Sequence, residues 1–250
     1  MIDFILSKWS FPSLPNWLIV FPIGIFIGIL AGWIAGTSKE KWNLPVGYSR
    51  KIFHFIIFTL AGVMGWTGGF EAVQVYGIAI GFVVGHAVIK GHASKLYTAL
   101  ARPTDIPFER FYIITPFLMT ALGGMTSNIL FEHFAIIGYI ATGWGDAVGE
   151  PVGTRWGRHK YRVPTLTGIT VYRSLEGSLA VFITSGMGCM LFLSAGFDVS
   201  LFPLLLMSLL LATITTIVEA ITFHSLDNLT IQISASGTCM LLFHLFGLNR

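Results

Sequence analysis

The chain has 250 residues, of which 54% are hydrophobic and only 11% are charged, and its formal net charge is +3. Its mean hydropathy is +0.76. A soluble domain carries roughly 25% charged residues, so this composition excludes a soluble globular protein as well as a disordered chain. It predicts an integral membrane protein. The small net charge gives little support for a nucleic-acid partner.

Eight apolar segments approach the length of about 20 residues that a helix needs to cross a membrane. In chain order they are 17–36, 52–66, 70–89, 111–130, 134–145, 175–197, 201–218 and 231–247. The second and the fifth are short and interrupted by glycine, which is typical of tilted, re-entrant or protein-buried segments. We therefore predict an all-α, polytopic helix bundle of about eight spans, which forms one domain over residues 1–250.

The charged residues predict which side of the membrane each connection faces. Eight spans would place four connections on the same side of the membrane, namely 37–51, 90–110, 145–174 and 219–230. Together they contain all of the 15 lysine and arginine residues except Lys8 and Arg250. By the positive-inside rule this side is cytoplasmic. Most acidic residues lie there too, several at span ends, where carboxylates are costly and often functional. The catalytic loops are thus predicted to face the cytoplasm.

Several common enzyme motifs are absent. No lysine precedes a serine or threonine, which excludes a Walker-type phosphate loop. The sequence also lacks H-E-x-x-H, G-x-S-x-G and C-x-x-C. Any chemistry must therefore come from a different arrangement of polar residues.

The longest polar stretch, residues 145–180, begins with residues that repeat every four positions. On a helix the glycines of this repeat form one stripe, at Gly145, Gly149, Gly153 and Gly157. Such a stripe lets a neighbouring backbone approach closely. Asp146 and Glu150 have the same spacing and share a helix face. Two adjacent carboxylates repel each other unless a cation lies between them, which indicates Mg²⁺ held by oxygen ligands.

Cations follow in the same stretch, at Arg155, Arg158, Lys160 and Arg173. They supply enough positive charge for a polyphosphate. The next span then opens with Ser174, Glu176, Gly177 and Ser178, and a helix start with free N–H groups is a good phosphate site.

Each of these features also has a structural interpretation. The glycines are common in helix packing, the basic run in lipid anchoring, and Ser174 with Glu176 in helix capping. Asp146 and Glu150 are also compatible with ion pairing to the arginines. Because all four features occur within 36 residues at one membrane surface, a joint phosphate and metal site is the better explanation.

Two further clusters lie on the predicted cytoplasmic side. Arg50, Lys51 and His54 open the second span, and Asp227 and Asn228 precede the last one. A topology signal and a solvated turn are the structural alternatives.

In this set of motifs the chain resembles the CTP-dependent polyprenol kinase family, which includes dolichol, phytol and farnesol kinases and the yeast-type diacylglycerol kinase. The resemblance rests on Arg50-Lys51-x-x-His54, on Gly145-Asp146-Ala147, on Arg173-Ser174-x-Glu176-Gly177-Ser178, and on Glu219 with Asp227-Asn228. The motif region extends over residues 50–230. Where the family usually has a lysine, this chain has Arg173.

The resemblance implies transfer of the γ-phosphate of CTP to the hydroxyl of an isoprenoid alcohol, such as phytol, geranylgeraniol, farnesol or dolichol, with Mg²⁺ as cofactor. Asp146 and Asp227 would then hold Mg²⁺, with Glu150 as a further ligand, and His54 or Glu176 would orient the alcohol. The remaining cations, glycines and polar residues would bind the nucleotide, namely Arg50, Lys51, Gly145, Gly149, Gly153, Arg155, Gly157, Arg158, Lys160, Arg173, Ser174, Gly177, Ser178 and Asn228.

Three other functions stay open. A CTP:phosphatidate cytidylyltransferase would use the same nucleotide, metal and lipid surface but would release pyrophosphate. A transporter would have ionisable residues near mid-span in both halves of the chain, whereas here the charges cluster on one side. A non-catalytic membrane scaffold would not bind nucleotide. The sequence leaves the acceptor alcohol and the oligomeric state undetermined.

Overall fold

A computed structural model describes residues 8–248, so that Arg250 lies outside the described part of the chain. The described residues are mainly helical, which confirms the all-α prediction. The helices are α1 (Leu14–Trp42), α2 (Val46–Lys90), α3 (Lys95–Leu100), α4 (Phe111–Phe131), α5 (Ala135–Trp156), α6 (Leu175–Gly196), α7 (Leu201–Ile221) and α8 (Asp227–Leu245), and the strands are β1 (Lys160–Val163) and β2 (Val171–Ser174).

Helix α2 is a hairpin of two helices that turns at Gly69. The φ of Gly69 is 64° and its ψ is −160°, a conformation that is essentially restricted to glycine. The hydroxyl of Tyr76 donates a hydrogen bond to the carbonyl of Ile57 at 3.2 Å. On a straight helix these residues would lie ~28 Å apart. The two halves of α2 therefore run side by side, and Val46 and Lys90 lie at the same end.

Helices α4 and α5 form a second hairpin through a 3₁₀ turn at Glu132–Phe134. The side-chain amide of Asn128 donates to the hydroxyl of Tyr139 at 2.7 Å, although eleven residue steps would separate them by ~16 Å on a continuous helix. Helix α5 then packs against α2, α6 and α8, and its residues Ile137 and Ile140 are fully buried. It is the central helix of the described bundle.

The long helices have the composition of a membrane protein. Five segments are long and apolar enough to cross a membrane, at 14–42, 46–93, 111–156, 175–196 and 201–221. Large apolar side chains such as Phe26, Leu179 and Leu205 are exposed along them, as expected for helices that face lipid. The segments 46–93 and 111–156 each contain two of the predicted spans, and α8 is less apolar than the five. The predicted count of about eight spans is therefore not confirmed.

The fifth predicted span is longer than its apolar residues indicate. We expected residues 134–145 to be helical and residues 145–174 to form a connection, but α5 continues to Trp156. The polar end of α5 stays helical because its glycines pack directly on α6. The antiparallel hairpin of β1 and β2, in which Tyr161 pairs with Arg173, then joins α5 to α6.

Candidate active site

The bundle contains two adjoining cavities, and the first of them is polar and lies at the end where α2 begins. The polar cavity has a volume of about 420 Å³. It lies between the start of α2, the polar end of α5, strand β2, the end of α7 and the start of α8. Five cations and five carboxylates line it, namely Arg50, Lys51, Arg102, Lys160 and Arg173, and Asp105, Asp146, Glu150, Glu219 and Asp227. The predicted motifs from four separate parts of the chain therefore meet in one place.

Asp146 is the most central of the carboxylates and is buried. Its Oδ2 atom lies 2.5 Å from Nζ of Lys51 and 3.6 Å from Nε2 of His54. The His54 ring also lies 3.3 Å from the carbonyl oxygen of Thr142. Both neighbours of Nε2 are acceptors, which indicates that Nε2 carries the proton and that Nδ1 is the acceptor.

Glu150 lies one helical turn beyond Asp146 and contacts Arg102 as well as Lys51. Its Oε2 atom lies 2.6 Å from Arg102 and 3.4 Å from Lys51. Arg102 in turn donates to Nε2 of His224 at 3.0 Å. The pKa of His224 is lowered to about 2, first because the ring is buried and then because of the positive charge of Arg102. His224 is therefore a neutral acceptor that fixes the position of Arg102.

Arg173 connects the β-hairpin to the ends of α7 and α8. Its guanidinium lies 2.6 Å from Oε1 of Glu219 and 2.8 Å from Oδ2 of Asp227. It also donates to the backbone carbonyls of Glu219 and Thr222. The pKa of Asp227 is raised, first by burial and then by the negative charge of Asp146. The planar fork of arginine fits this double contact, which a lysine would not reproduce.

The glycine stripe packs α5 against α6. A Cβ atom added at Gly149 would lie 2.5 Å from a methyl group of Val181, and one added at Gly145 would lie 3.2 Å from Cβ of Ser185. Ser174 caps α6 by accepting a hydrogen bond from the N–H of Gly177. The structure thus gives these residues a packing role, and Gly149, Gly153, Gly177, Ser174 and Ser178 also line the polar cavity.

Several predicted site residues do not line this cavity. Arg155 and Arg158 are exposed, and Arg155 lies over the ring of Trp156. Glu176, in the first turn of α6, accepts a hydrogen bond from the exposed ring of His159 at 2.7 Å. The remaining ones are Gly145 and Gly157, which belong to the packing surface. Their predicted roles stay predictions.

Other residues of the cavity received no role from the sequence. Arg102, Asp105, Glu219 and His224 line it. In the sequence Arg102, Asp105 and His224 are isolated charges or rings in polar connections, whereas Glu219 belongs to a motif with Asp227-Asn228 but had no role assigned to it. Asp105 is buried, and burial raises its pKa. A second signal for Glu219 was its position at the end of a span, because a carboxylate at that depth is costly.

The carboxylates of the polar cavity show whether the predicted Mg²⁺ would fit there. Within residues 8–248, no three His, Cys, Asp or Glu side chains are grouped so that they could hold a metal ion by themselves. Mg²⁺ in nucleotide sites takes only one or two carboxylates and binds phosphate and water otherwise. Oε2 of Glu219 and Oδ2 of Asp105 are buried without a hydrogen-bond partner among the described residues. Glu219 and Asp227 both contact Arg173, so the buried oxygen of Glu219 is a hard donor beside Asp227 and fits such an ion.

The second cavity is apolar and also has a volume of about 420 Å³. It lies between the two halves of α2 and α4, and most of its lining side chains are aliphatic or aromatic. Four residues line both cavities, namely Arg50, His54, Pro116 and Asn228. Arg50 donates to the carbonyl of Tyr112, and Asn228 donates to the hydroxyl of Thr120, which holds both polar groups at the boundary.

A comparison with known proteins tests the family resemblance of this chain. A protein from Synechocystis sp. described as phytol kinase is 26% identical to this chain over 231 residues, which covers 90% of this chain and 91% of that protein. The resemblance to the polyprenol and phytol kinase family is confirmed. No family model matches the chain, and no solved structure matches it. Similarity to this kinase family supports a kinase-type enzyme in a membrane.

Proposed function

We propose that this protein is a lipid kinase that transfers the γ-phosphate of a nucleoside triphosphate to the hydroxyl of an isoprenoid alcohol at the cytoplasmic face of a membrane. The observation that carries the proposal is the shared boundary of the two cavities. One cavity offers the cations that phosphates need, and the other offers the apolar surface that a lipid chain needs. The similarity to a phytol kinase supports the same reaction, and CTP as donor follows from the family resemblance alone.

The triphosphate would bind by exchanging ion pairs. Lys51, Arg102 and Arg173 each contact a carboxylate in the cavity. Phosphate oxygens compete well for these donors because charge-assisted bonds to guanidinium are strong and often bidentate. The carboxylates released by this exchange, above all Asp146 and Asp227, would then hold Mg²⁺, with Glu150 as a further ligand. When bound, the ion neutralises charge on the phosphates.

The acceptor hydroxyl would lie at the boundary of the cavities, next to His54. In the reaction a bond forms between the alcohol oxygen and the γ-phosphorus, while the bond from that phosphorus to the β,γ-bridging oxygen breaks and releases the nucleoside diphosphate. His54 accepts the hydroxyl proton at Nδ1, and the carbonyl of Thr142 and the carboxylate of Asp146 hold Nε2. Of the two residues predicted to orient the alcohol, only His54 lines both cavities.

The decisive experiment uses the purified protein in detergent with Mg²⁺, γ-labelled CTP or ATP, and phytol, geranylgeraniol, farnesol, dolichol or diacylglycerol. We expect the label in a lipid monophosphate together with release of the nucleoside diphosphate. Release of pyrophosphate when phosphatidate is supplied would instead identify a cytidylyltransferase. Absence of both products, in protein that remains monodisperse, would reject the proposal.

A further inference from the structure

The apolar cavity has a defined length and direction. One end is the boundary with the polar cavity, near Arg50, which lies at the open end of the α2 hairpin. The other end is near Phe70, beside the Gly69 turn. Along the second half of α2 the lining extends from Phe70 to Val84, fourteen residue steps or ~21 Å at the helical rise.

The end near the turn is bounded by the residues that precede α1. The rings of Trp9 and Phe70 contact each other edge to face, with centroids 5.7 Å apart. The side-chain amide of Gln74 donates to the carbonyl of Ser10 at 2.9 Å, which ties this segment to α2. Both Trp9 and Phe70 line the cavity, so these bulky rings lie where a bound chain would end.

Between the two ends, Gly77 leaves the cavity wide. A Cβ atom built on Gly77 meets no other atom within 4 Å, and Gly77 lines the cavity. A side chain there would therefore project into open space inside the cavity. Gly77 lies midway along α2's part of the lining, seven residue steps or ~10 Å from Phe70.

We propose that this cavity binds the hydrocarbon chain of the acceptor and selects a single chain of moderate length, an inference that rests on the proposed function. A lipid chain that spans one leaflet extends ~15 Å, half of the hydrocarbon core. The ~21 Å cavity accommodates one such chain, as in farnesol, geranylgeraniol or phytol, with its hydroxyl beside His54. A polyprenol several times longer exceeds the length of this cavity. A lipid with two chains exceeds its capacity for one chain.

The test compares two glycine variants on the same helix. Gly77→Leu fills the middle of the cavity, and Gly85→Leu is the matched control, because its Cβ also meets no atom within 4 Å while Gly85 does not line the cavity. Both replace a helical glycine with the same residue. The kcat/KM values are measured for geraniol, farnesol, geranylgeraniol, phytol and dolichol.

We expect the wild type and Gly85→Leu to prefer geranylgeraniol and phytol over dolichol. Gly77→Leu should lower kcat/KM for phytol by at least about tenfold relative to geraniol, because the leucine occupies the part of the cavity that only the longer chain reaches. Equal changes for all alcohols in both glycine variants would overturn the inference. So would a wild type that accepts dolichol as well as phytol.

A binding experiment keeps this inference separate from the kinase assignment. A photoreactive isoprenoid alcohol with a diazirine at the end of its tail is cross-linked to the wild-type protein and mapped by mass spectrometry. Adducts at 70–78 would support the cavity even if no phosphoryl transfer were found, a result that would reject only the proposed reaction. Adducts confined to the outer surfaces of α6 and α7 would overturn the inference.

Discussion

The carboxylates of the polar cavity are held by cations from other parts of the chain. Lys51 contacts Asp146, Arg102 contacts Glu150, and Arg173 contacts both Glu219 and Asp227. Buried ion pairs of this kind add little net stability, because desolvation offsets the attraction, but removing one partner is costly. We therefore propose that these pairs serve a ligand that exchanges with them rather than the stability of the fold.

At Asp146, we expect the Asp146→Asn variant to lose at least about 100-fold in phosphoryl transfer, because the site loses the charge that we propose holds Mg²⁺ and orients His54. The assay is transfer of label from γ-labelled nucleotide to the lipid. Glu40→Gln is the matched control, since Glu40 pairs with Lys95 on the exposed surface and makes the same change of charge. Asp146→Asn activity within threefold of wild type would contradict the assignment.

At Arg173, the expected effect is on folding as well as activity. Arg173→Met leaves Glu219 and Asp227 buried without their cation, which costs about 3–5 kcal/mol, and the melting temperature in detergent should fall. Adding Glu219→Gln to this variant should recover part of the loss, because one buried charge is removed. If the double variant melts no higher than Arg173→Met, the ion pair is not the source of the stability.

Among the helices, the glycine stripe of α5 determines how closely the site is assembled. Gly149 and Gly177 pack where α5 meets α6, and a Cβ on Gly177 would lie 2.8 Å from the carbonyl oxygen of Gly149. This close approach brings β2 and Arg173 next to Asp146. The stripe thus serves the site through packing, whether or not its glycines also touch nucleotide.

The packing at Gly149 can be tested by a compensating pair. Gly149→Ala should destabilise the protein by about 1–3 kcal/mol, because its new methyl group meets the stiff side chain of Val181. Val181→Ala in that background should restore much of the melting temperature. Gly85→Ala is the control, and it should be neutral or stabilising because its methyl group enters open space. No rescue by Val181→Ala would contradict this packing role.

The sequence predicted the elements better than their ends. The four-residue spacing correctly placed Asp146 and Glu150 on one helix face. Ser174 caps α6, which was the structural alternative to the predicted phosphate contact. The end of α5 was misplaced by about ten residues, since hydropathy alone does not reveal that a polar, glycine-rich segment packs on another helix. Arg102 was missed because a lone arginine in a connection has no local pattern.

Across the whole molecule, the two hairpins bring distant parts of the chain to one end of the bundle. The turn of α2 at Gly69 and the turn at Glu132–Phe134 lie at the end opposite to the polar cavity. We propose that these turns face the outer side of the membrane and that the cavity faces the cytoplasm, as the distribution of lysine and arginine predicts.

This topology can be tested by labelling single cysteines with a membrane-impermeant maleimide in vesicles of known orientation. The native Cys189 and Cys239 are buried and should react slowly. Cysteines introduced at the exposed positions Ala93 and His159 should react from the cytoplasmic side, and those at Thr67 and Asp198 from the other side. Thr67 and Ala93 flank the second half of α2. If Thr67→Cys and Ala93→Cys were labelled from the same side, that half would not cross the membrane, which would exclude two crossings by α2.

The sequence by itself determined the membrane character, the helical class, the family resemblance and most of the charged residues of the site. These depend on composition and local spacing, which a linear chain records directly. Only the tertiary structure decided which cation meets which carboxylate, and that an apolar cavity ends at His54. The ion pairs and the cavity both depend on contacts between residues far apart in sequence, such as Lys51 with Asp146 and Arg173 with Asp227. These contacts exist only once the hairpins have packed together.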